Sequence, residues 1–179
     1  MILAVDVQYD NNAAFVAGVL FNEWGSEEPK AEYISLLNEI EEYVPGDFYK
    51  RELPCILRLL KDHELVPSCI VVDGYVYLDG KQLPGLGKRL FDALQEKIEI
   101  IGVAKKGFRG IASEYEILRG KSKKPLYVTS TGDLDSAKNS VLNMFGKNRI
   151  PFLLKRADQL CREAANKSKH SDGVNAAGV

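Results

Sequence analysis

Two aspartates occupy positions where an ionised carboxylate has to be compensated. Asp6 lies inside the apolar run Ile2-Leu3-Ala4-Val5-Asp6-Val7, and Asp73 closes the run Ile70-Val71-Val72-Asp73-Gly74. Burying a charge among apolar neighbours is costly unless a cation or metal answers it, and the carboxyl end of a buried strand commonly faces a site. Either residue alone fits a strand-edge or turn aspartate, but the two together form the nucleus of a divalent-metal site. Glu52, after Arg51 near the start of a helical stretch, supplies a third carboxylate that can project over the sheet or simply stand on the surface of the helix start. Oxygen ligands of this kind suit hard cations such as Mg²⁺ and Mn²⁺.

The charge along the chain is asymmetric although the net charge is −1. Residues 1–80 carry 15 acidic against 5 basic side chains, residues 81–124 carry 11 basic against 5 acidic, and residues 125–179 carry 8 against 5. A polyanion can lie on the basic part while the acidic part holds divalent cations, or the two can be ordinary solvated faces.

The elements that must position these groups follow from periodicity. Met1 to Tyr9 and Ala13 to Phe21 read as a β-hairpin around the turn residues Asp10-Asn11-Asn12, and Ala31 to Leu37 reads as a third strand. Asp47 is a candidate N-cap for a helix up to His63, with Leu53, Ile56, Leu57 and Leu60 on one face and Pro54 near where the helix proper begins. Strands are expected at 68–73, 98–104 and 126–129, and helices at 86–97, 133–145 and 151–164. The β-β-β-α-β-α-β order is that of the ribonuclease H-like fold: an α/β protein whose mixed sheet has three antiparallel strands, then parallel strands, flanked by helices. One domain over 1–165 is expected, with 166–179, small and polar, as a disordered tail.

Composition excludes several classes. With 45% hydrophobic and 27% charged residues the chain is neither collagen, coiled coil nor wholesale disorder. Three cysteines without a C-x-x-C pair suggest neither a disulfide framework nor a zinc ribbon. No segment reaches the ~18 apolar residues of a membrane span and no signal-peptide pattern opens the chain, so a cytoplasmic location is expected.

The segment Tyr43-Val44-Pro45-Gly46-Asp47-Phe48-Tyr49-Lys50-Arg51-Glu52-Leu53-Pro54 resembles the Tyr-Ile-Pro-Gly…Phe-Arg-Glu-x-Pro segment of the endonuclease V family. Val5-Asp6, Val72-Asp73-Gly74 and Gly102-Val103-Ala104-Lys105 are similar to three further family motifs, in family order. The resemblance implies a ribonuclease H-like nuclease that cuts DNA or RNA near deaminated bases, inosine above all, with Mg²⁺ or Mn²⁺ held by Asp6, Glu52 and Asp73 and with Lys105 at the scissile phosphate. Tyr43, Val44 and Pro45 would be a strand-separating wedge, and Arg51, Gly74 and Gly85 would join them and Lys105 in contacting nucleic acid. The residues alone also fit a helix-entry turn at Tyr43 and a strand-end surface lysine at Lys105.

The chain departs from the family where it continues after Asp73. The family's Gly-x-Gly-x-x-His-Pro-Arg is replaced here by a stretch ending Leu78-Asp79-Gly80-Lys81, and both family histidines in this region are absent. Gly85-x-Gly87 forms either a tight loop beside a flipped base or a plain helix entry. Where the family ends a strand with Gly-His, Gly132 is followed by Asp133, which either joins the metal ligands or caps the next helix. A differently selective ribonuclease H-like nuclease and a non-catalytic nucleic-acid-binding module are the alternative readings.

Overall fold

A computed structural model describes residues 1–10, 13–38 and 48–174. Its centre is a seven-stranded sheet in the order β3-β2-β1-β4-β5-β7-β6. β1 (Ile2–Asp10), β2 (Ala13–Phe21) and β3 (Ala31–Asn38) form the antiparallel meander expected from the apolar runs and the polar breaks between them. β4 (Cys69–Asp73) and β5 (Glu99–Ala104) then run parallel to β1. This is the ribonuclease H-like order. β7 (Leu126–Ser130) reverses direction against β5, and the short β6 (Glu116–Ile117) closes the edge, so the last strands are antiparallel rather than parallel.

Successive strand residues point to opposite faces, and both faces are covered. Ile2, Ala4, Val71 and Val103 belong to a core beneath α3 (Leu134–Leu142) and α4 (Phe152–Val174), whereas Leu3, Val5, Ile70 and Val72 belong to a core beneath α1 (Phe48–Asp62) and α2 (Leu86–Ala93). β4 is therefore buried on both sides, which is why it reads as a continuous apolar run. Cys55, Cys69 and Cys161 are buried free thiols.

α2 and α3 end at Ala93 and Leu142, short of the expected 97 and 145, and the other two helices differ in more than their last turn. α1 begins at Phe48, ahead of Pro54, which sits inside it on the solvent side. A proline there withholds one N–H from the ladder, but the strongly amphipathic face of α1 and its burial of Cys55, Ile56, Leu59 and Leu60 hold the helix through it. α4 continues to Val174 instead of ending near Ala164, so the expected tail is helical up to that residue and only 175–179 lie outside the described residues. Cys161 and Ala165 extend the buried stripe of α4 past the expected end. Among the described residues no helix is long and apolar enough to cross a membrane.

Candidate active site

Register brings the two aspartates level. β1 and β4 pair as Val5↔Val72, so one step further places Asp6 beside Asp73, while Asp73 itself pairs with Val103 of β5 and Lys105 follows the end of that strand. Asp73 and Lys105 thus stand at the carboxyl ends of β4 and β5, level with Asp6, which lies mid-strand where β1 runs on past its pairing with β4.

Glu52 arrives from α1. It lies four residues before Ile56 and seven before Leu59, on the helix stripe that faces the sheet, and it is only 7% exposed. Asp6, Glu52 and Asp73 line one recess together with Val7, Ile56 and Leu86. Arg51, its neighbour, lies over the ring of Tyr9 at 4.1 Å.

The charges in this recess are under-compensated. Burial, then repulsion from Asp73, pushes the Asp6 carboxyl up to about 7, against the pull of the Val7 N–H and Lys105. Burial, then Asp6 and Asp73, holds Glu52 well above the usual carboxylate range. Lys105 donates from Nζ to Asp73 Oδ2 at 2.5 Å. Burial works against its charge, yet that bond and the attraction of Asp73, Asp6 and Asp158 keep its pKa above the ordinary lysine value.

Asp158 is a fourth carboxylate that the sequence reading missed. It stands on α4, lines a cavity with Asp6, Asp73 and Lys105, and contributes to the rise at Asp6. Its signal was present in the spacing, because it falls one position after buried Ala157 and four after Leu154 on the face of α4 turned to the sheet. Asp133, by contrast, is corrected to a helix cap. Its Oδ1 accepts from the Ser136 N–H at 2.8 Å at the start of α3, and this bonding lowers its pKa. Because β7 runs antiparallel to β5, with Ser130 opposite Ile101, the chain leaves β7 at the end of the sheet remote from Asp73 and Lys105.

The donor set suits a hard divalent cation: four oxygen-bearing groups, two of them with raised pKa values, and one lysine among them. As the side chains stand, no three acidic, histidine or cysteine residues among the described ones converge closely enough to grip an ion.

Backbone devices fix the turn after Asp73. Gly74 has φ +146, a conformation that side-chain-bearing residues rarely adopt. A Cβ on Gly102 would meet Gly74 O at 2.6 Å and Val76 N at 2.8 Å, so glycine lets this turn cross β5. The fully buried Thr129 accepts from the Val76 N–H at 2.8 Å. Gly85 and Gly87 pack against the same turn through Gly85 N–H to Val76 O and Gly87 N–H to Tyr75 O, with Gly85 at the N-cap of α2. Tyr43, Val44 and Pro45 lie outside the described residues.

Arginines hold the loop beside Lys105. Arg149 donates to the carbonyls of Lys105 at 2.6 Å, Pro125 at 2.7 Å and Lys124 at 3.0 Å. Buried Arg119 donates to the carbonyls of Met144, Gly146 and Asn148, which sets the segment that presents Arg149. The basic loop 121–124 is thereby tied next to Lys105. Alanine at Lys121, Lys123 and Lys124 together is expected to weaken nucleic-acid binding for every sequence alike and to flatten the logarithmic salt slope by about one to three units. Titrations at several salt concentrations measure this, and an unchanged slope moves the phosphate track elsewhere.

Known proteins bear a clear likeness to this chain. The family model for endonuclease V matches residues 1–123. An endonuclease V of Streptomyces avermitilis is 32% identical over 186 aligned residues, covering 91% of this chain and 80% of the relative. The crystal structure of an endonuclease V from that organism superposes with a TM-score of 0.72 at 27% identity, over 94% of this chain and 82% of the other. The Ciona intestinalis endonuclease V, solved in complex with a 24mer DNA containing an inosine followed by a ribo-adenosine, has a TM-score of 0.75 at 20% identity, over 93% of this chain and 85% of that one.

Proposed function

Because the chain belongs to the endonuclease V family, we propose that it hydrolyses phosphodiester bonds in DNA or RNA with a divalent cation, Mg²⁺ or Mn²⁺, held by Asp6, Glu52 and Asp73 with Asp158 beside them. The observation that carries this reading is the meeting of carboxylates from β1, α1 and β4 in one recess beside Lys105. A bound cation supplies charge neutralisation at the phosphate and lowers the pKa of water. Lys105 lies at the same strand ends and offers an ammonium group to a phosphate oxygen, at the expense of its bond to Asp73. Arg149 fixes the backbone from which Lys105 projects. The retained triad Asp6, Glu52 and Asp73 speaks against a purely binding module, which needs none of them.

Substrate choice is expected to differ from that of relatives with the histidine motif. Asp79, in the place of the family's first histidine, uses Oδ1 to accept the N–H groups of Lys81, Gln82 and Leu83, each at 2.9 Å. Those bonds hold its pKa at about 2, so it remains an acceptor at any working pH and has no proton to offer a base. A site that loses a polar partner loses discrimination. Cleavage of inosine-containing and unmodified strands, compared through kcat/KM, is expected to differ by no more than about tenfold, the yield of ~1.4 kcal/mol of transition-state preference. A preference of a thousandfold would show that main-chain contacts around Gly74 and Gly85 suffice for lesion recognition.

A further inference from the structure

On the α4 face of the sheet, directly behind Asp6 and Asp73, lies a cavity of about 480 Å³, inside the ~300–1,000 Å³ range typical of small-molecule sites. Its walls are apolar: Ala4, Val71 and Val103 from the sheet, and Ile150, Leu154 and Ala157 from α4 and the segment before it. Ala4 and Ala157 are buried and end at Cβ, so they leave room that larger residues would fill. The carboxylates and the cations Lys105, Arg149 and Lys155 also line it. An apolar chamber opening beside a phosphate-binding lysine and a carboxylate cluster has the composition of a nucleotide subsite.

We infer that this cavity receives one unpaired nucleobase of the strand being cut, from a nucleotide next to the scissile phosphate. The inference rests on the nuclease reading. Lys105 is itself part of the lining, so a phosphate placed at Lys105 stands at the wall of this chamber. The apolar walls shield the faces of the base from water. Arg149, held by three carbonyls, offers a guanidinium fixed in advance rather than one that must be ordered on binding. Stacking between apolar walls is open to every base, because each has a π-face. A base in the chamber is unstacked from its helix, which favours single-stranded or opened nucleic acid over intact duplex.

The test is an abasic scan. Inosine-containing single strands, each with one abasic nucleotide at a defined position on either side of the inosine, are titrated against the full chain in chelator and followed by fluorescence anisotropy. In the wild type one abasic position on one side is expected to weaken binding by about tenfold, in line with the ~1–3 kcal/mol of a stacked base. Ala157→Phe fills the chamber and is expected to remove that position-specific penalty while the remainder of the scan is unchanged. Leu154→Trp fills it from a half-buried position and serves if the first variant does not fold, as read from its melting curve. Absence of measurable binding, a flat wild-type scan, or a penalty that persists in the filled variants overturns the inference. Cleavage of the same strands in Mg²⁺ separates it from the nuclease reading. Cutting with a flat scan overturns the chamber alone, whereas no cutting with a penalty that Ala157→Phe removes upholds the chamber and overturns the nuclease.

Discussion

Asp6→Asn is expected to abolish metal-dependent cleavage, lowering kcat/KM by about a thousandfold or more, which corresponds to ~4 kcal/mol of lost transition-state stabilisation. The substitution keeps the shape of the side chain. The Val7 N–H donates to Asp6 Oδ1 at 2.8 Å, and an asparagine oxygen accepts the same bond. It also removes a charge that burial and Asp73 both penalise. The metal-free variant is therefore expected to melt no lower than the wild type at pH 7.5, so the lost activity is not lost fold. Circular dichroism with parallel cleavage assays decides this, and a variant that still cuts at one tenth of the wild-type rate would remove Asp6 from the site.

The second large effect is a coupling of stability to pH and metal. Asp6 has a folded-state pKa of about 7 against an ordinary value of 3.8, and Glu52 is shifted in the same direction. Between those values the folded chain binds more protons than the unfolded one, so metal-free stability is greatest at the acid end and falls as pH rises from about 4 to about 7 through these groups. A cation that needs the deprotonated carboxylates reverses this loss and releases protons as it binds. Mg²⁺ at a hundred times its Kd is expected to add about 2.7 kcal/mol at pH 7.5 and much less at pH 5. Thermal melts across pH, with Mg²⁺ and with chelator, measure both slopes. A metal effect that is independent of pH, or that persists in Asp6→Asn, would place the bound ion elsewhere.

Much of this arrangement was legible in the residues. The turn residues between the apolar runs of β1 and β2 and the continuous run of β4 mark the strands and their breaks, so the meander and the parallel core followed from pattern. Asp6 and Asp73 interrupt those patterns and advertise themselves. Glu52 was legible from its place on the buried stripe of α1. Asp133 was left open between metal ligand and helix cap, and Asp158 was not singled out, for two physical reasons. Strand direction is not written in a five-residue run such as β7, and its reversal sends Asp133 to the wrong end of the sheet. Asp158 sits in a helix whose Arg162 one turn later gives it the look of an ordinary surface ion pair, and its second neighbourhood, the strand ends 150 residues earlier in the chain, is visible only once α4 packs on β1. The extension of α4 to Val174 was hidden by small and polar residues that carry little helical periodicity.

The most direct measurement of the central assignment is cleavage of an end-labelled, inosine-containing single strand by the purified chain, in Mg²⁺ and in chelator, with Asp6→Asn alongside. Cutting by the wild type in Mg²⁺ that disappears in chelator and in the variant is the expected result. No cutting in either Mg²⁺ or Mn²⁺, or cutting indifferent to both chelator and Asp6→Asn, would contradict it.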